Sequence, residues 1–157
     1  MTRKRCKRKV WTPNANIIGR VIGGVALPHP KDLDKIRMLE LSQIEALASG
    51  AGSLADLRGM SDCLNVCETM ADAGIGPEAL PACAKAQESI LAIMRRFERW
   101  SKIEAMPGEI DALRELYAYA DLQRQSVSCA EFERYVHRTI ARIRSNHHRC
   151  VEVAVTR

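Results

Sequence analysis

Six of the seven residues from position 3 to position 9 are cationic: Arg3, Lys4, Arg5, Lys7, Arg8 and Lys9. Charges this dense repel one another and have no apolar periodicity that would bury them. They suit a polyanion, because neutralising about six phosphates gives strong, salt-dependent, sequence-blind binding. A second basic set stands at Arg134, Arg138 and Arg142. The i, i+4, i+8 spacing places these on one side of a helix, while Phe132, Val136, Thr139 and Ile143 point the other way. The expectation is an exposed arginine ridge, extended by Arg144 and Arg149. Together these nine cations, Arg3 to Lys9 and the ridge, form the expected nucleic-acid-binding set.

Other chemistry-bearing residues lead to less. Cys63 and Cys67 are four apart, so both thiols approach one face of a helix, but a zinc site needs two more ligands and the tighter Cys-x-x-Cys spacing is missing. His147, His148 and Cys150 offer three soft ligands in four residues at a basic helix end, where histidines also suit the helix dipole. The sequence has no Gly-x-Ser-x-Gly, no His-Glu-x-x-His and no phosphate-cradling Gly-rich loop with its lysine. Glu40 and Glu45, like Asp62 and Glu68, are not spaced to meet on one helix face. A non-enzymatic protein without metal or cofactor is the expectation.

The net charge of +5 is unevenly spread. Residues 31–125 carry 11 basic and 16 acidic side chains, whereas residues 126–157 carry 6 basic and 3 acidic ones. Both ends are basic around an acidic middle, so a polyanion meets the ends. Six cysteines in a long, core-rich chain are expected as reduced thiols. Arg20 interrupts the apolar run Ile17–Leu27 and Pro28-His29-Pro30 makes a poor cleavage site, so an export signal is not expected. No stretch reaches the ~18 apolar residues of a membrane span, and the expected location is the cytoplasm.

These residues need elements to position them. The composition is 46% hydrophobic but only 4% aromatic, which favours a helical core of Leu, Ile, Met and Ala. Helical stripes run through Leu33, Ile36, Leu39, Ile44 and Leu47; through Leu54, Leu57, Met60, Leu64, Cys67 and Met70; and through Ile110, Leu113, Leu116 and Ala120. The longest stripe, Cys83, Ala86, Ile90, Ile93, Met94, Phe97 and Trp100, marks residues 81–100 as the expected core helix. Asp32 or its predecessor caps the first helix, while Ser53 with Asp56 and Ser128 with Glu131 read as capping boxes. Residues 109–124 and 129–145, joined by a short link, also suggest a helix-turn-helix without its turn glycine. The fold expected is an all-α, single-domain bundle of about five helices. Residues 1–16 form a flexible basic arm, 17–30 an apolar Gly-rich docking segment, 31–149 the bundle and 150–157 a tail. Only Val151–Val155 alternates as a strand would.

The stretches LNVCETMADAGIGPEALPAC (64–83) and YADLQRQSVSCAEFERYV (119–136), behind a basic start, resemble short uncharacterised helical proteins of phage and prophage regions in proteobacteria. That resemblance implies a small accessory or regulatory protein and carries no activity with it. Two functions follow: nucleic-acid binding through the basic ends, or a protein-interaction module acting as adaptor or inhibitor of a host protein, without nucleic acid.

Overall fold

The computed structural model describes residues 27–145 and Val153. The cations from Arg3 to Lys9, most of the apolar segment, and His147, His148, Arg149 and Cys150 lie outside the described residues. Five α-helices follow in order: α1 Pro30–Ala48, α2 Leu54–Asp72, α3 Leu80–Trp100, α4 Pro107–Ser126 and α5 Cys129–Arg144. A single 3₁₀ turn, Pro77–Ala79, leads into α3, and no strand occurs among the described residues. The all-α bundle is as expected.

Helix starts are written locally. The Ser53 hydroxyl accepts from the Asp56 amide while the Asp56 carboxylate takes the Ser53 amide at 2.8 Å, and Ser128 and Glu131 repeat the arrangement on α5. The cap of α1 differs from expectation. Pro30 is its first residue, and His29 supplies the cap in place of Asp32 or its predecessor: His29 Nδ1 accepts the Lys31 amide at 3.2 Å. Proline suits a first helical position because its missing N–H has no intrahelical partner there. Helix α2 stops at Gly74, whose φ of 91° lets the Ile75 amide turn back to the Met70 carbonyl.

The hub of the bundle is α2, which packs on α1, α3, α4 and α5. The expectation that residues 81–100 would be central is thereby corrected: among the described elements α3 packs chiefly on α2, α4 and the 3₁₀ turn. The physical reason lies in the type of burial. Helix α3 fully buries one stripe, Ala82, Cys83, Ala86, Ser89, Ile90 and Ile93, with Leu80, Met94 and Phe97 partly buried beside it. Helix α2 buries a much wider arc that includes Ser61, Asn65, Glu68 and Thr69. Those small or polar residues let neighbours come close on sides that a hydrophobic stripe would not mark. Gly59 does the same at the α1 contact, where a Cβ would fall 2.2 Å from the Gln43 amide nitrogen. Val153, within the expected tail, is 1% exposed and belongs to the core cluster.

Ile90 is fully buried in the α3 stripe. Ile90→Ala is expected to cost about 2–5 kcal/mol in urea denaturation, from lost transfer energy plus the cavity left. Ala71→Leu is expected to destabilise by about 1–3 kcal/mol, because it forces three further carbons into a position of α2 that is 2% exposed. A neutral Ala71→Leu would contradict the tight packing of α2.

Candidate functional site

The geometry divides the expected arginine ridge. Arg134 and Arg138 are exposed on the outer face of α5. Arg142 is turned inward, with its side chain only 14% exposed. Its Nη2 lies 3.1 Å from Asp72 and 3.8 Å from Glu68, and Nη1 donates to Thr69 Oγ1 at 3.1 Å. The correction has a simple cause. Each i+4 step rotates about 40° around the axis, so by the second step the row has drifted toward the buried face. Arg142 thus pins α5 to α2 as a structural residue.

Another cation takes its place near the surface. Arg58 of α2 and Arg144 of α5, both exposed, line one cleft of about 460 Å³ with Val136, Ile140 and Ile143. None of Arg58, Arg134, Arg138 and Arg144 forms an ion pair with a described residue. Glu131, on the first turn of α5, is committed to its cap: the Ser128 amide and hydroxyl hold its carboxyl below the ordinary value. Arg58 was invisible as a member because only the α2–α5 crossing brings it near Arg144. The helix-turn-helix reading fails on the same crossing, since α5 leans on α2 and makes no comparable contact with α4.

The strongest polar feature is internal. Glu40 and Arg124 are 7% and 5% exposed and meet side by side, Nη1–Oε1 at 2.7 Å and Nη2–Oε2 at 2.6 Å. Burial works against the Arg124 charge, but the hydrogen bonds and field of Glu40 outweigh it and raise its pKa. Next to it, Arg37 holds both oxygens of Asp121 at 2.9 Å. These two forks bind α1 to α4. Gln123 extends the network by donating to the Cys67 and Ile75 carbonyls at 3.2 and 2.8 Å. The signal for Glu40–Arg124 was present: each falls on the apolar stripe of its helix with opposite sign.

The thiols are protected rather than activated. Cys63 is pushed well up by burial and then by the Glu40 charge, and Cys67 rises through its contact with Cys83 and through burial. Cys67 and Cys83 lie 3.6 Å apart between α2 and α3. A thiolate is disfavoured at Cys63 and Cys67, so these two offer poor nucleophiles. Among the described residues, no three His, Cys, Asp or Glu side chains form a group able to hold a metal ion, and no helix is long and apolar enough to cross a membrane.

The chain matches no protein-family model, no curated protein and no solved structure.

Asp121 makes the network pH-dependent. Burial raises its pKa, but the hydrogen bonds from Arg37 and the charges of Arg37 and Arg124 prevail and leave it below its ordinary 3.8. A carboxylate depressed by folding stabilises the fold above its unfolded pKa and loses that contribution as pH falls through the folded value. The stability advantage over Asp121→Asn should therefore be complete above the ordinary carboxylate range and fade as the pH falls below 3.8. Urea denaturation across that range checks it, and a pH-independent advantage would contradict it. Likewise Glu40→Ala should cost about 3–5 kcal/mol, since it strands a buried guanidinium, whereas Glu40→Leu with Arg124→Met should recover most of the loss.

Proposed function

We propose that this protein binds nucleic acid through phosphates and acts as a small non-enzymatic accessory or regulatory protein of phage type. The observation that carries the reading is the set of four exposed guanidinium groups, Arg58, Arg134, Arg138 and Arg144, without ion-pair partners among the described residues. Guanidinium groups in this setting are unneeded for packing and match phosphate geometry. Several other basic side chains of the bundle are matched, Arg37 to Asp121, Arg96 to Glu109 and Lys85 to Glu115, while Lys31, Arg95 and Arg99 also lack an ion pair with a described residue. The cations from Arg3 to Lys9 supply the greater share of the charge in this proposal, and the arginines of α5 and α2 orient it. Binding of this kind positions a protein without reading bases, so it has little sequence preference.

The interior position of Arg142 separates the proposed interface from the scaffold. Arg134→Ala with Arg138→Ala is expected to flatten the dependence of log K on log salt by up to about 2, with stability within about 0.5 kcal/mol of wild type. Arg142→Ala is expected to leave the salt slope unchanged and lower stability by about 1–3 kcal/mol. Fluorescence anisotropy with a short duplex at several salt concentrations, beside urea denaturation, reads both. If Arg134→Glu with Arg138→Glu leaves duplex and RNA binding intact and instead removes a protein from a pull-down, the protein-interaction reading replaces this one.

A further inference from the structure

Helix α3 outruns the helix that covers it. Cys67 and Cys83 meet beside the α2–α3 turn, so these two helices run antiparallel, and the last turns of α3 lie at the end of the bundle where α2 begins. At about 1.5 Å per residue on either side of that contact, Trp100 stands about 12 Å beyond Arg58 along the axes. At about 100° per residue it also falls within about 20° of Ile93, on the packing stripe. Yet Ile93 is fully buried and Trp100 is 61% exposed. Over those last turns α2 no longer covers the stripe.

The corner that follows is fixed by specific contacts. The Ser101 amide closes on the Phe97 carbonyl at 2.7 Å, Arg96 donates to the Glu104 carbonyl at 3.0 Å, and Ile103 is buried. Ser101 takes the left-handed conformation, φ 53°, and among the described residues no other side-chain-bearing residue does so. The indole is therefore presented at a built corner, and among the described residues it is the one exposed aromatic side chain. Its surroundings are cationic. The Arg99 guanidinium carbon lies 5.2 Å from the indole centroid, within cation–π range. Arg95 stands one turn earlier, and both arginines are exposed without an ion pair to a described residue. Lys102 is matched by Glu104, so two arginines stand against one carboxylate, Glu98, on these turns.

We propose that Trp100 is a stacking platform for the bases of single-stranded nucleic acid, with Arg95 and Arg99 on the flanking phosphates. The proposal rests on the nucleic-acid reading and narrows it to strands with unpaired bases. Every base has a π face that an indole can take, whereas the bases of a duplex are already stacked on one another. Phosphates held by the arginines keep a base over the ring without reading its edge. Between Leu91 and Met106 the indole is the only large apolar side chain left exposed, which suits one planar base better than the several apolar anchors of a protein groove.

Trp11 and Trp100 are the two tryptophans of the chain, so Trp11→Phe makes Trp100 the sole indole reporter. In that background an oligothymidylate of about 15 nucleotides is expected to quench the emission at least about twofold. Heparin, a polyanion without bases, and a duplex of equal length are expected to bind through charge without quenching. Trp100→Ala and Trp100→Leu are each expected to weaken oligothymidylate binding about 5-fold to 150-fold with heparin binding unchanged, and Trp100→Phe to keep most of the affinity. Oligothymidylate and heparin both binding with no quenching would overturn the stacking and leave the nucleic-acid reading in place. Equal losses for heparin and oligothymidylate in Trp100→Ala, or full binding by Trp100→Leu, would also overturn it. Failure of every polyanion to bind would overturn the nucleic-acid reading itself, and the stacking with it. Emission that shifts with protein concentration in the absence of any strand would assign the indole to a second copy and overturn the proposal.

Discussion

The enclosure of α2 is the constraint on which the rest of the bundle depends. A helix that touches four others cannot present large side chains in every direction, because interiors are packed at close to crystalline density. The sequence meets this with graded sizes. Leu57, Met60, Leu64 and Met70 fill the larger spaces, while Ser61, Asn65 and Thr69 form an i, i+4 row along which another helix can approach. Thr69 Oγ1 satisfies itself on the Asn65 carbonyl at 2.7 Å and still accepts from Arg142. Cys63, Cys67 and Cys83 act as slender apolar residues at the same contacts. The basic surface depends on this core, because α5 is held by α2 and by little else.

Directional contacts then set which helix sits where. Apolar stripes alone would tolerate sliding of α1 along α4; the Glu40–Arg124 and Arg37–Asp121 forks do not, since each needs both helices at one height. Gln123 reads the end of α2 through two carbonyls, and Arg142 reads the same turn from α5. Removing one partner of such a buried pair costs more than the pair contributes, which makes mismatched arrangements expensive.

Much of this was legible before any coordinates. Five stripes of period 3.6 and two capping boxes located every helix to within a few residues. What escaped was whatever depends on more than one element. The stripe on α3 is longer and cleaner than that on α2, so periodicity favoured α3 as the centre, yet small polar residues bury α2 more completely. Arg142 matched its neighbours in spacing and differed only in the slow rotation of an i+4 row. Arg58 reaches Arg144 through a helix crossing that no local pattern encodes. Val153 lies in the alternating run Val151–Val155, and that pattern names no helix for it to pack against. Glu40 and Arg124 did carry one, a lone charge on each of two apolar stripes with opposite sign.

Native-state hydrogen exchange in low urea tests the centrality of α2 most directly. If α2 is the hub, the amides of Leu64–Cys67 exchange last and only through global unfolding, while those of α5, whose one fully buried residue is Thr139, open earlier through smaller fluctuations. Slowest exchange at Ala86–Ile93 of α3, with the Leu64–Cys67 amides opening before it, would contradict the account and restore α3 to the centre.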